Sequence, residues 1–436
     1  MSLEPLPNLP QTSPPTPRVL PAGVRRKILL YLGILITLLA FGAPFGGLMD
    51  IPISFVLKNK LHLQAHEVAT FRLVAAIPLY LSFLFGFARD IWNPFGLRDR
   101  GFMLAFGAIA AALYAAFAFA PVTYATLLAA VLLLTTAFLF VSAAQNGLTS
   151  TIAQQHVMSG QVSALWNVFI ALTSVVTLVA GGRLSTWLDA SGADEAARVL
   201  FLAGAAIMAA VTAYAVWKPP SVFANIAPEP IARPAHALSR LLRHRPLYPA
   251  MLIWLLWNFS PGSETALQYY LQNTLHATDA QWGQWNAIFS GFLIPTFLLF
   301  GILCRRFPLR TLLLGGALIA VPQMIPLLFI HSIDGALIAA VPIGLLGGIA
   351  NAAFLDLIIR SCPRGLQGTT LMMSAGLFFV ATRFGDLLGT HLYDHFGGFQ
   401  VCVIASTAVY ALILPVILLI PRPLIDTADG LARSPL

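Results

Sequence analysis

Charge is what this sequence has least of: Asp, Glu, Lys and Arg make up 10% of its 436 residues, against 58% hydrophobic ones. A soluble domain carries about 25% charged residues, because a surface that faces water has to be covered with ionised groups. So much apolar surface cannot be hidden from water, which excludes a soluble globular protein and points to an exterior made of lipid. Cysteine is rarer still. Cys304, Cys362 and Cys402 are too few and too scattered for a disulfide framework or a metal cluster. No G-x-x-x-x-G-K-[ST] run occurs, so the phosphate cradle of an ATP-driven pump is missing. The nine histidines fall mostly in loops and at helix ends, without metal spacing on one helix face. No cluster of His, Asp or Glu on a single face offers a catalytic site. These absences predict no cofactor, no metal and no enzyme.

What the chain does have is long apolar runs. A helix crosses the hydrocarbon core in about 20 residues, and only a helix or a closed barrel satisfies every backbone group there. A barrel would show alternating ten-residue segments instead. Twelve stretches of helical length are present, at 28–57, 66–88, 101–120, 122–153, 162–184, 197–217, 246–274, 281–303, 311–331, 335–359, 369–392 and 399–420. The expected fold class is therefore an all-α membrane protein with twelve transmembrane helices, its first partner the lipid bilayer.

The net charge of +8 is explained by position rather than by nucleic acid. With the N-terminus inside, nineteen basic residues lie in inner segments and five in outer ones, as the positive-inside rule requires. Both termini are expected in the cytoplasm, the protein being multi-pass in the plasma (inner) membrane. Residues 1–24 are proline-rich, without an apolar core, and read as a disordered cytoplasmic tail. Residues 218–245, with Pro219, Pro220, Pro228, Pro230 and Pro234, form a cytoplasmic linker almost midway, and 421–436 a second tail.

The two sides of that linker resemble each other. A shift of 214 residues places Leu57, Asn59, Leu61 and His62 on Leu271, Asn273, Leu275 and His276, and Asp50 on Glu264; one residue later Gly86 meets Gly301. An offset of six spans makes the repeats parallel, as in the two halves of major facilitator transporters. The expected units are 25–217 and 246–420.

The loop after span 2, Gly86-Phe-Ala-Arg-Asp90 through Gly96, Arg98, Asp99 and Arg100, resembles the facilitator signature of a glycine, an aspartate four residues on, then a glycine with nearby arginines. There Gly86 permits close helix approach, and Asp90 accepts hydrogen bonds from Arg98 or Arg100, or from a neighbouring helix N-terminus. The second half keeps Gly301, Arg305 and Arg306 but lacks the aspartate, and Asp356 is the candidate to replace it. Gly86, Asp90, Arg98, Arg100, Arg305, Arg306 and Asp356 are the expected cytoplasmic gate.

Three segments resemble the folate–biopterin transporter family: Leu57 to Arg100, Ser260 to Tyr270 with its Pro-Gly-Ser-Glu run, and Cys362-Pro-Arg-Gly-Leu-Gln-Gly-Thr369. The chain departs from that family where Leu81 and Ser82 stand at an expected lysine, and where Ser142, Gln145, Asn146 and Thr149 replace aspartates in span 4. The resemblance implies a folate- or pterin-like solute; the expected protein is a monomeric secondary transporter of a small organic anion, proton-coupled, that works by alternating access. The alternative is a facilitator-fold assembly factor without a transport cycle.

Charges inside the spans sharpen this. An ionised group at the bilayer centre costs about 2.5–3.5 kcal/mol on insertion scales, so each needs a reason. Asp50 and Glu264 occupy matching places in spans 1 and 7; Arg383 and Asp386 lie three residues apart on one face of span 11. Glu264 or Asp50 is the expected proton acceptor, and Arg383 the group that attracts an anionic substrate.

Overall fold

Proline and glycine decide where the apolar runs break. Ten helices in the computed structural model are long and apolar enough to cross a membrane: Thr70–Ile91, Asp99–Phe117, Tyr124–Gln155, Ser159–Gly181, Ala197–Val216, Ala280–Leu303, Leu309–Phe329, Ile333–Ser361, Gln367–His395 and Phe399–Ile417. These are spans 2–6 and 8–12. Spans 1 and 7 are each interrupted. Span 1 is Ala22–Gly42 and Gly47–Phe55, parted at Ala43 to Gly46 around Pro44. Span 7 is Leu247–Asn258 and Thr265–Tyr269, parted around Pro261 and Gly262. Proline has no amide hydrogen to give to the helix, so spans 1 and 7 break at equivalent places in the two halves. The structure describes residues 20–189, 192–224, 226 and 234–431, and among them there is no strand.

The repeat seen in the sequence is built into the backbone. Span 1 ends in a π-turn, Val56–Lys60, and span 7 in another, Tyr270–Thr274, 214 residues on. His62 (φ 53°) and His276 (φ 58°) then both take the left-handed conformation. Next, Glu67 accepts from the Gln64 backbone N–H at 2.8 Å, and Gln281 from that of Thr278 at 2.9 Å, so spans 2 and 8 start with the same capping device.

Each half has its own core. Ile28, Leu35, Phe102, Tyr114 and Met208 pack in the first, Ile253, Phe300, Leu313, Ile343 and Phe354 in the second. The halves meet where span 2 lies on span 11 and span 5 on spans 8 and 10.

Most of the expected N-terminal tail falls on residues 1–19, outside the described ones, and span 1 begins at Ala22. The described part of the linker holds a short helix, Pro220–Phe223, and an amphipathic one, Pro234–Arg243. Residues 421–431 do not behave as a tail. They form the turn Arg422–Ile425 with Leu424 and Ile425 buried, because Arg360 holds the carbonyls of Leu424 and Thr427.

Candidate functional site

At the end of the bundle where the arginines gather, spans 2 and 11 touch backbone to backbone. A side chain on Gly86 would drive into the carbonyl of Gly368, so only hydrogen fits there. One turn on, the Asp90 carboxylate is shut off from solvent and caps the start of span 11. It accepts from Gly368 N–H (3.2 Å), Thr369 N–H (2.7 Å) and the Thr369 hydroxyl (2.6 Å). An acid at a helix N-terminus satisfies orphan amides and meets the positive end of the dipole. Its cation is Arg89, which also reaches Asp99: Nη1 to Asp90 at 2.7 Å, Nε to Asp99 at 2.5 Å. The helix N-terminus expected beside Asp90 is thus present, but the expected arginines are not its partners. Arg100 is spent on the end of span 6, donating to the carbonyls of Ala215 and Val216. Arg98 is turned elsewhere by its own backbone, at φ 54°.

The second half seals differently. Asp356, the expected substitute acid, is held bidentate by Arg360 four residues on, at 2.8 and 3.0 Å, and accepts nothing from span 5. The group that caps span 5 is Asp429. It accepts from Gln161 N–H (2.9 Å) and the Ser159 hydroxyl (3.4 Å), pairs with Arg360 (3.2 Å), and its own N–H donates to the Cys304 carbonyl (2.9 Å). Gly430 N–H reaches Val157. The C-terminal segment therefore bridges the two halves. Cys304 lies beneath it, its thiol pushed up by burial and by Asp429 and Asp356. Arg305 and Arg306 are exposed and have no side-chain hydrogen bond or ion pair among the described residues; the chain turns them outward after span 8, and they are not part of this seal. Gln154 completes it, donating to the carbonyls of Ile359 and Cys362 at 2.8 Å and accepting from Gln367 at 3.1 Å.

Deeper in the bundle the halves are joined by neutral groups. Asn351 donates to Asn167 at 2.7 Å and accepts from Trp257 at 2.8 Å, and the Ser163 hydroxyl donates to the Ala352 carbonyl.

At the opposite end the halves part. A cavity of about 730 Å³ is lined by Ser54, Lys58, Thr70 and Arg72 of the first half and by Arg383 of span 11. Arg383 lies 14 residues beyond Thr369, or about 21 Å at 1.5 Å per residue, so cavity and seal are far apart. Arg72 bonds the Ser54 hydroxyl at 2.8 Å and stands 3.9 Å from Asp50. Arg383 and Asp386, three residues apart on one face of span 11, do not pair with each other. Asp386 instead accepts from Thr265 N–H (2.9 Å) and the Thr265 hydroxyl (3.0 Å), capping the second piece of span 7. That fixes Glu264, the residue just before the cap, within the electrostatic reach of Asp386 and Arg383. Lys58 and Arg383 have no carboxylate partner among the described residues. No three His, Cys, Asp or Glu side chains among them converge as metal ligands do.

Sequence reasoning thus missed Arg89, Gln154, Arg360 and Asp429. The i,i+4 spacing of Asp356 and Arg360 was a readable signal; the role of Asp429 had none, since it depends on how the chain end folds back.

The family model of the Major Facilitator Superfamily matches residues 157–385. No curated protein matches the chain. Among solved structures, the human organic anion transporter MFSD10 (TETRAN) is similar at 15% identity and a TM-score of 0.66, over 91% of this chain and 100% of that one. FucP in its outward conformation gives 16% and 0.67, over 90% and 98%. The proton:xylose symporter XylE gives 11% and 0.67, over 93% and 98%. At such identities the likeness is one of fold.

Proposed function

Because this chain belongs to the Major Facilitator Superfamily, we propose that it is a secondary transporter of a small organic anion, standing here in its outward-open state. One observation carries the choice of anion. Arg383, a cation deep in a membrane span, faces a cavity shared with Lys58 and Arg72 from the other half. Three cations surround one space, with Asp50 against Arg72 and Glu264 within reach of Arg383, so the charge of Lys58 at least is left for a ligand to neutralise. The volume lies in the range of about 300–1,000 Å³ usual for small-molecule sites.

Alternating access follows from the contrast between the two ends. Residues 25–217 and 246–420 would rock about the Asn167–Asn351 level, the vestibule closing as the Asp90 and Asp429 seals open. The linker 218–245 keeps them tethered. The basic seal faces the cytoplasm in this reading, supported by the distribution of Lys and Arg, with both termini on that side of the plasma (inner) membrane. Glu264 and Asp50, at the matching breaks of spans 7 and 1, are the groups we assign to proton coupling. Each stands beside a cation whose attention the substrate would compete for, Arg383 and Arg72, so loading a proton and loading an anion are linked. A folate- or pterin-like solute is the class we would try first, on the resemblance of residues 57–100, 260–270 and 362–369.

The test is a thermal-shift screen of the purified protein against pterins, folates, other organic acids and neutral sugars, since a ligand that binds only the folded state raises the melting temperature. Stabilisation by neutral sugars with none by any acid would overturn the anion assignment.

A further inference from the structure

A second cavity lies at the basic end, outside the seal. It holds about 250 Å³ between the loop after span 2, the end of span 4 and the segment after span 6, and its lining includes Arg89, Arg98, Asp99, Arg100, Thr151, Lys218 and Phe223.

Its charge is not balanced. Arg89 is neutralised by Asp90 and Asp99. Arg100 is held by two neutral carbonyls and lies 5.7 Å from the Phe223 ring centre. Arg98 and Lys218 have no ion pair among the described residues. The positive-inside rule explains why these cations are on one side of the membrane, but not why they converge on one hollow.

Two further observations point to a ligand. Thr151, 6% exposed, has a hydroxyl with no hydrogen-bond partner among the described residues, and it lines the cavity. Many helical Thr and Ser hydroxyls in this chain donate to a carbonyl three or four residues back, as Thr37 and Ser361 do; Thr135 and Ser150 of the same span lack a partner as Thr151 does, but of the three only Thr151 lines the cavity. Arg98 is held at φ 54° and ψ −132°, a conformation that L side chains rarely adopt, pinned by the Asn93 side-chain Oδ1 accepting from its N–H at 2.6 Å. Strain of this kind persists where the surroundings over-determine it, and Arg98 lines the cavity.

We propose that this cavity binds a phosphate group. The guanidinium fork of Arg98, the Nη1 of Arg100 that its two carbonyl bonds leave over, the ammonium of Lys218 and the Thr151 hydroxyl supply donors from separate elements, which suits a tetrahedral oxyanion better than a planar carboxylate. The space takes the phosphate and little of what bears it. Its source is either the headgroup of an anionic lipid or a soluble phosphate. Phe95, 78% exposed at the tip of the neighbouring loop, and the exposed Trp92 are placed as interfacial side chains would be for the first. The site does not depend on the transport reading.

The experiment uses the full-length protein in phosphatidylcholine nanodiscs and reads the unfolding midpoint. The two arms are added inorganic phosphate, against sodium chloride of equal ionic strength, and nanodiscs containing phosphatidylglycerol. A rise with phosphate assigns a soluble source, and a rise with phosphatidylglycerol alone a lipid one. In either case Arg98→Gly with Lys218→Gln should weaken the response at least tenfold in apparent affinity. Glycine accepts the backbone of position 98, so the variant's own midpoint should not fall, which separates lost binding from lost folding. Thr151→Val should weaken the response while keeping the volume. The proposal is overturned if neither probe raises the midpoint beyond the salt control, or if the rise survives in the Arg98→Gly/Lys218→Gln variant.

Discussion

Asp90 and Thr369 belong to opposite halves of the chain, yet the carboxylate of one takes both the N–H and the hydroxyl of the other, at 2.7 and 2.6 Å, in a place closed to solvent. A bond of this sort to a charged group is worth about 1.5–3 kcal/mol. The seal at the basic end therefore depends on a few groups that can be removed one at a time.

Asp90→Asn keeps the shape and removes the charge. The lost 1.5–3 kcal/mol corresponds to a roughly 10- to 100-fold rise in the open fraction. Maleimide labelling of Cys362, buried beside Gln154, reads this in membranes once Cys304 and Cys402 are replaced by Ala. An unchanged labelling rate would remove Asp90 from the seal.

Gly86→Leu places four carbons where the Gly368 carbonyl stands. The halves cannot then close at that end, and transport should fall to background while the protein still inserts and survives purification. Substrate uptake normalised to protein in the membrane decides it; activity above half of wild type contradicts the contact.

Asp429→Asn tests the other side of the seal. Arg360 keeps its bidentate bond to Asp356, so the loss should be smaller than for Asp90, a few-fold in the labelling of Cys304 with the other two cysteines replaced. Cys304 is 1% exposed, with its thiol held protonated by its surroundings, which makes it a silent reporter until the segment above it lifts. Deleting 422–436 should label it faster still.

Arg383→Gln should raise the Kd for an anionic ligand tenfold or more and leave neutral analogues unaffected. Stability should hardly change, because Arg383 is exposed to the vestibule and has no ion pair among the described residues. Isothermal titration with the first hit from the ligand screen measures this. Equal affinity in the variant would mean that the anion sits elsewhere.

Glu264→Gln should abolish accumulation driven by an imposed pH gradient in proteoliposomes while leaving exchange of substrate across the membrane. Accumulation equal to wild type would take Glu264 out of the coupling.

The span count, the repeat and the placement of charges were legible because each rests on composition along the chain. Apolar length marks a span wherever it occurs, and the 214-residue offset of Leu57-x-Asn59-x-Leu61-His62 survives in the π-turns and in His62 and His276. Partner choice was less legible. Asp90 was expected to meet Arg98 or Arg100, but the loop between them turns through Phe95 and Arg98 at positive φ and carries them away, leaving the adjacent Arg89. Asp386 faces Arg383 on a helical wheel, yet the free amide of Thr265, created by the break at Pro261, takes it first. Such outcomes depend on three-dimensional competition for one acceptor, which spacing does not encode.

The crossing of the C-terminal segment between the halves has a practical side. A fluorescent protein or affinity handle inserted directly beside Asp429 would pull on the bridge itself and bias every measurement of conformation.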